Sequence, residues 1–513
     1  MRILENKGLL LKLRNPSKVT TAIPSSRAVG DNKVLVKWGI DEARVLRNLN
    51  VKDVPSPILG QYDWPGRYEP FEHQKTTSSF LTLNTKAFCF NEQGTGKTAS
   101  AIWAADFLLK KGVINKVLVI CPLSIMDSAW RADLFTFAMH RSVDIAHGPK
   151  DKRRKIISGD SDFVIINYDG VEIVEDHIQM AGFDLIIVDE ATHYKNANSK
   201  RWKVLSRIVK PDTWVWMMTG TPAAQSPLDA FGLAKMLNPL AVPRSFSSYR
   251  EMVMQKVTQF KWVPKDNAVN KVHAALQPAI RYSKEQCLDL PEMTYVKREV
   301  ELTAQQNKYY KAIHTHMLTM AAGEQVTAQN AAVVMNKLLQ ISCGAVYADS
   351  GETVEFDIKN RYKVLKEVID EASQKVLIFV PFKHAIDILS EKLFKDKISN
   401  GIIRGDVSVS KRTQLFKEFQ DTDSPRVLII QPQAAAHGVT LTAANTIVWW
   451  GPTSSLETYA QANARVHRAG QRHPCTVVQL QGSPVEKRVY KLLDQRIHVH
   501  AKIIDLYNEV LEM

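Results

Sequence analysis

Asn91-Glu-Gln-Gly-Thr-Gly-Lys-Thr98 lies between a short apolar run, Ala87-Phe-Cys-Phe90, and a segment, Ala99 to Lys110, in which Ala, Ile, Trp, Phe and Leu recur at helical spacing. The run reads as a buried strand, the segment as a helix and the octet as the tight loop between them. Strand, loop, helix is the context in which such a loop binds phosphate. Its backbone N–H groups turn toward the anion, and the helix N-terminus adds its positive end. Gln93, Gly94, Thr95, Gly96, Lys97 and Thr98 are therefore the expected nucleotide-binding set. Lys97 can reach the β- and γ-phosphates, and the Thr98 hydroxyl can hold Mg²⁺. Asn91 stands where the pattern has its first Gly, so the reading needs a second signal.

Phe183-Asp-Leu-Ile-Ile-Val-Asp-Glu190 supplies it. The apolar residues Leu185 to Val188 fit a central parallel strand, and ligands of open parallel sheets bind at the carboxyl ends of the strands. Asp189 is placed there to hold Mg²⁺ through water, and Glu190 to polarise the attacking water. A pair of solvated loop acids would not need so apolar a run before it. Together the two signals specify a nucleoside triphosphatase. Gln74, on a short helix before the loop, offers a paired donor and acceptor to an adenine edge; a surface polar role also fits it. Trp214 to Met218 reads as a further strand, ending in Thr219-Gly-Thr-Pro222, whose hydroxyls can connect the phosphate site to another surface.

Length sets the scale: 513 residues suit two to four domains. Hydrophobic residues at 45% and charged residues at 23% are ordinary for a soluble globular protein. No apolar run is long enough to span a bilayer. Gly8 to Leu11, cut by Lys12, does not read as a secretory leader. Cys89, Cys121, Cys287, Cys343 and Cys475 form no CxxC pair, which argues for a reducing compartment and against a zinc site. The net charge of +14 and pI of about 9.3 favour a polyanion, nucleic acid first, as partner.

Residues 1–64 read as a small α+β accessory module. Leu9 to Leu13 and Lys33 to Trp38 are its strands, Asp41 caps a helix running to Leu49, and Pro55 to Pro57 begins a linker. Its basic residues (Lys7, Lys12, Arg14, Lys18, Arg27, Lys33, Lys37) fit a nucleic-acid contact or a solvated surface equally. Residues 65–290 form a first α/β lobe with a helical insertion after about 228. Its basic cluster, Lys150 to Lys155, again fits either a phosphate backbone or a solvated helix face. Residues 291–513 form a second lobe with a helical insertion at about 303–345, whose Met317, Met320 and Met335 read as core. Strands at 376–380, 427–430 and 446–450 and helices at 384–394 and 410–419 complete that lobe, which carries no phosphate loop. It closes with Tyr459 to Gln471. On a helix, Gln461, Arg465 and Arg468 would share one face. Two arginines there suit a site that meets the triphosphate across a cleft, and such an arginine is worth about 10³–10⁵-fold in related chemistry.

The ordered series Gln74, Asn91 to Thr98, Cys121-Pro-Leu-Ser124, Asp189-Glu-Ala191, Thr219-Gly-Thr-Pro222, Gly438-Val-Thr-Leu441 and Gln461 to Gln471 resembles the Swi/Snf-type helicase-like ATPases of helicase superfamily two, over residues 68–495. Arg465-Val-His-Arg-Ala-Gly-Gln471 is similar to that family rather than to processive unwinding helicases, and the compact size looks like bacterial or phage members. The resemblance implies two RecA-like parallel-sheet lobes, ATP and Mg²⁺ as cofactors, and duplex or forked DNA across both lobes. Gln74 would contact adenine; Gly438 and Gln461 would join the nucleotide set; Lys97, Glu190, Arg465 and Arg468 would be catalytic; Thr98 and Asp189 would hold the metal. Pro122, Ser124, Thr219 and Thr440 would line a DNA path made of phosphate rather than base contacts. The implied activity is DNA-stimulated ATP hydrolysis that drives movement on DNA, with remodelling or annealing as outcomes, in a cytoplasm and without a membrane. A strand-separating DNA or RNA helicase and a nucleotide-gated DNA-binding module with little hydrolysis are the alternatives. Protein partners are not specified. The chain departs from the family at Thr192, where His is usual, with His193 one place later.

Overall fold

The computed structural model describes residues 1–495 except 31, 221, 224–225, 259–261, 288–289, 324–327, 348–352 and 436–438, with backbone alone at 314–323, 328–331 and 435. The chain divides into two compact units, Met1–Cys287 and Leu288–Met513.

The first unit opens with an antiparallel sheet of β1 (Arg2–Leu4), β2 (Gly8–Lys12), β3 (Arg27–Ala28) and β4 (Lys33–Lys37), ordered β1-β2-β4-β3. The period-two alternation sends Leu9, Leu11, Val34 and Val36 into a core with Val19 of helix α1 (Pro16–Ala22) and Leu46 of α2 (Ile40–Asn48). Helix α2 begins after Gly39, so Asp41 sits in its first turn, where it favours the helix dipole, and is not the cap. The expected linker is packed: α3 (Ile58–Gln61) buries Ile58, Trp38 Nε1 donates to the Pro55 carbonyl at 2.9 Å, and Gln61 Nε2 donates to the Asn6 and Trp38 carbonyls, each at 2.8 Å.

Helix α4 (Glu72–Leu83) then leads into the main sheet of β5 (Lys86–Cys89), helix α5 (Lys97–Lys110), β6 (Val117–Cys121), β7 (Val143–Ile145), β8 (Phe163–Asn167), β9 (Leu185–Val188) and β10 (Trp214–Met218). A hairpin of β11 (Met254–Lys256) and β12 (Trp262–Pro264) follows, and β13 (Ala279–Ile280) returns to the main sheet. Among the described residues its order is β13-β5-β10-β9-β6-β8-β7, parallel throughout. Continuous apolar strands follow from burial on both faces. Trp103, Trp130 and Trp216 pack on one side, Phe88, Leu118 and Tyr194 on the other. Helices Ala230–Leu237, Phe246–Val253 and Ala268–Ala275 occupy the expected insertion.

The second unit has β14 (Met293–Glu299), a hairpin of β15 (Ala345–Tyr347) and β16 (Thr353–Glu355), then β17 (Lys375–Phe379), β18 (Asn400–Ile403), β19 (Val427–Ile430), β20 (Ala444–Trp449) and β21 (Cys475–Gln481). Its larger sheet runs β14-β21-β20-β17-β19-β18, again parallel. Helices Ala304–Gly323 and Ala328–Cys343 fill the expected insertion. Met335 is core as expected, whereas the side chains of Met317 and Met320 lie outside the described residues. One expectation fails here. The helix Leu456–Asn463 stops at Asn463, so Arg465 and Arg468 stand on the turns beyond it and share no helical face with Gln461.

Candidate nucleotide site

The loop from 91 to 98 joins β5 to α5 at the carboxyl edge of the parallel strands, the edge where such sheets bind ligands. Two of its glycines need to be glycine. Gly94 (φ 88°) and Gly96 (φ 81°) are left-handed, and a Cβ on Gly96 would lie 2.0 Å from Gln74 Nε2. Asn91 is not left-handed, so a side chain is tolerated there. That side chain is used. Its Nδ2 donates to Thr77 Oγ1 at 2.8 Å, and its Oδ1 accepts from the Tyr282 N–H at 3.0 Å. Glu92 N–H donates to the Tyr282 carbonyl at 2.9 Å, and its carboxylate accepts from the Lys284 N–H at 3.2 Å. The segment that leaves β13 is thereby fastened to the start of the loop.

Gln74 is 8% exposed, and both ends of its amide are engaged. Oε1 accepts from the Phe71 N–H at 2.9 Å, and Nε2 donates to the Thr95 carbonyl at 3.3 Å, which His73 Nε2 also approaches at 2.8 Å. Gln74 thus ties the start of its helix to the loop. Lys97 and Thr98 are half-buried, and Lys97 Nζ donates to the Glu92 carbonyl at 3.3 Å.

Asp189 and Glu190 end β9 on the same edge. Asp189 Oδ2 accepts from Trp130 Nε1 at 2.9 Å, and Oδ1 accepts from the Glu190 N–H, also at 2.9 Å. Burial pushes the Asp189 carboxyl above its ordinary value; the Trp130 hydrogen bond and the Lys97 charge oppose the push. Glu190 is left-handed (φ 47°, ψ 54°), a conformation that costs a non-Gly residue about 1–3 kcal/mol and that clusters at functional sites. Tyr168 Oη donates to the Asp189 carbonyl at 2.7 Å. His193, the displaced histidine, packs on the Tyr168 ring with centroids 4.7 Å apart, and burial and then the Arg201 charge hold its pKa below the usual value.

The third piece is Thr219-Gly220. Thr219 is fully buried and its N–H donates to the Cys89 carbonyl at 3.0 Å; it is not on an accessible path. A Cβ on Gly220 would lie 2.6 Å from Gln93 Nε2, so Gln93 packs directly on this turn. That Nε2 is buried and has no hydrogen-bond partner among the described residues. A buried donor lacking a partner, a left-handed glycine cradle, a lysine, and hydroxyl and carboxylate oxygens form a set that fits a nucleoside phosphate and a hard divalent cation. The residues able to hold the cation are Thr98 and Asp189.

Of the remaining expected positions in this unit, Pro122 is buried and Ser124 half-buried, with the exposed Leu123 between them. The Lys150–Ile157 helix divides its charges. Arg153 is buried, donating to the carbonyls of Gly148 and Ala146, each at 2.8 Å, while Lys150, Lys152 and Lys155 are exposed. Trp130 was missed in the sequence. It sits on a π-helical turn, Met126–Arg131, a form frequent at functional sites, and no local spacing ties it to Asp189, 59 positions away.

In the second unit, Gln461 is buried and donates to Glu457 at 3.2 Å. Leu441 N–H donates to the Arg465 carbonyl at 3.0 Å, and Arg468 Nη1 donates to the Val439 carbonyl at 3.2 Å. Those bonds bring Arg465, Arg468 and the exposed Thr440 together. Gly438 and Thr221 lie outside the described residues.

Comparison with known proteins adds the following. The family described as SNF2-related domain matches residues 73–344, and the helicase conserved C-terminal domain matches residues 360–470. An uncharacterized ATP-dependent helicase of Mycoplasma genitalium is 25% identical over 420 residues, which cover 79% of this chain and 39% of that protein. The CHD3-type chromatin-remodeling factor PICKLE of Arabidopsis thaliana is 24% identical over 465 residues, covering 80% of this chain and 32% of its own length. This chain thus spans well under half of either relative. A solved Sulfolobus solfataricus SWI2/SNF2 ATPase core in complex with dsDNA is 22% identical, with a TM-score of 0.42, covering 84% of this chain and 92% of that one.

Proposed function

The chain belongs to the SNF2-related family, and we propose that it hydrolyses ATP to move along duplex DNA. The observation that carries this reading is the pair Asp189 and Glu190, one buried against Trp130 and the other in a left-handed backbone, beside the glycine cradle and Lys97. In the proposed mechanism the loop N–H groups and Lys97 bind the β- and γ-phosphates, and Gln93 donates into the same site. Thr98 and Asp189 would hold Mg²⁺, which would neutralise charge on the phosphate oxygens. Glu190 orients the attacking water and takes its proton. Arg465 and Arg468 stabilise the charge of the transferring phosphoryl group. Gln74 selects adenine by exchanging its bond to the Thr95 carbonyl for one to the base.

DNA is the proposed polymer because the chain carries a net charge of +14 and has remodelling factors among its relatives. Ser124 and Thr440 are the candidate phosphate contacts. Buried Pro122 and Thr219 are assigned supporting roles behind that path. Forked DNA is proposed as an alternative substrate form, and the reducing cytoplasm of a bacterial or phage-infected cell as the location. Steady-state ATP hydrolysis without nucleic acid, then with single-stranded, duplex and forked DNA and RNA, tests the reading. Strong stimulation by duplex or forked DNA that Lys97→Ala abolishes is expected. Stimulation by single strands or RNA alone would transfer the chain to the strand-separating class. Tight DNA binding without hydrolysis would leave a nucleotide-gated binding module.

A further inference from the structure

The N-terminal sheet, residues 2–37, lies outside both family matches, and its two faces differ in character. Residues paired in register share a face, and successive residues alternate. With Leu9, Leu11, Val34 and Val36 each at most 1% exposed on the inner face, the pairing sends Arg2, Lys12, Arg27, Lys33 and Lys37 to the outer one. All five cations are exposed, and Leu10 and Leu35, paired with each other, sit half-buried among them. No strand position on this face carries a carboxylate, and none of the five cations is in an ion pair among the described residues. Lys12 lies directly opposite Lys33 across the β2–β4 pair. Like charges directly opposite one another destabilise a sheet, and an interleaved acid would remove the problem. The arrangement favours an external polyanion over the sheet's own stability.

We infer that this outer face is a second DNA-docking surface, which grips the phosphate backbone of duplex DNA independently of the two lobes. The inference rests on the proposed action on DNA. Lysine and arginine side chains around an aliphatic patch offer charge and no ordered set of base-reading groups, so the grip is independent of sequence. It would hold the chain on its track while the lobes release and rebind.

The test uses the full chain with Lys12→Gln, Arg27→Gln, Lys33→Gln and Lys37→Gln combined. Binding to a labelled duplex is measured by fluorescence anisotropy from about 50 to 300 mM salt, without nucleotide. Each phosphate contact adds ~0.9 to the slope of log affinity against log salt, so the slope is expected to fall by about 3–4 and affinity at ~100 mM by more than tenfold. DNA-free ATP hydrolysis is expected to stay at the wild-type rate. The melting temperature is expected at or above that of wild type, because the Lys12–Lys33 repulsion is gone. Equal slopes and affinities for variant and wild type would overturn the inference while leaving the lobes as the DNA site. So would unchanged DNA binding with lost binding to phosphatidylserine vesicles, which would make the face a membrane contact. A wild-type chain without DNA affinity would overturn this inference and the proposed function together.

Discussion

At the residue scale the proposed chemistry concentrates on Glu190. Its left-handed backbone is a strained conformation of the kind that clusters at functional sites. Glu190→Gln removes the proposed proton acceptor and keeps the shape. ATP affinity is expected to stay within a few-fold and turnover to fall at least ~10²-fold, read by nucleotide titration and steady-state kinetics. Unchanged turnover would remove Glu190 from the mechanism. Trp130→Phe deletes the indole donor to a buried carboxylate, at about 1–3 kcal/mol. A lower melting temperature and a raised Mg²⁺ requirement are expected, and a variant equal to wild type in both would contradict the assigned role. Asn91→Gly restores the usual glycine yet strips bonds to Thr77 and Tyr282. It is expected to destabilise the first unit, again by about 1–3 kcal/mol, and melting measurements would expose a neutral result. The loop with its left-handed glycines and the place of the two acids at the end of a strand were legible in the sequence, because a tight strand–helix turn and a buried strand obey local backbone rules. Trp130 was not, since its bond to Asp189 is made only by the fold.

At the element scale, runs such as Val117-Leu-Val-Ile-Cys121 and Leu185-Ile-Ile-Val188 announce parallel strands because both faces are covered, and each was readable in advance. The helix ending at Asn463 was read too long. Ala464 and Val466 continue its pattern, but Gln471 Nε2 donates to the Ala444 carbonyl at 2.8 Å and to that of Val466 at 3.3 Å, which ties the turns to β20. A local period does not report such a tie. At the start of helix Pro484–Asp494, buried Glu486 accepts from the Gly482 N–H at 2.7 Å and the Ser483 N–H at 3.0 Å, a local capping box, and from Arg361 Nη2 at 2.7 Å, a tie that local spacing does not report. Arg361, 2% exposed, also donates to the Trp450 carbonyl. Arg361→Met strands a buried carboxylate and is expected to destabilise the second unit by about 3–5 kcal/mol in denaturant titrations. Adding Glu486→Leu is expected to recover only part of this, because Glu486 also caps the helix. Full recovery would show the capping bonds to be negligible.

At the scale of the molecule, two units, each with a parallel sheet and a helical insertion, carry the candidate nucleotide loop on one and Arg465 and Arg468 on the other. Composition raised the polyanion partner proposed above, and the ordered series of short segments announced the family; the register that gathers the N-terminal cations on one face appeared only with the paired strands. If phosphates dominate DNA binding, log affinity should fall linearly with log salt and depend little on sequence, as competition between unrelated duplexes would reveal. Hydrolysis is proposed to move the chain along a duplex with no need to separate its strands. The most direct measurement is ATP-driven displacement of a third strand from a triplex-bearing duplex, with the duplex strands followed in the same reaction. Release of the third strand by the wild type, its absence with Glu190→Gln and an intact duplex throughout are the predicted results. Separation of the duplex strands would place the chain among strand-separating helicases, and a third strand that stays in place while ATP is consumed would rule out movement along the duplex.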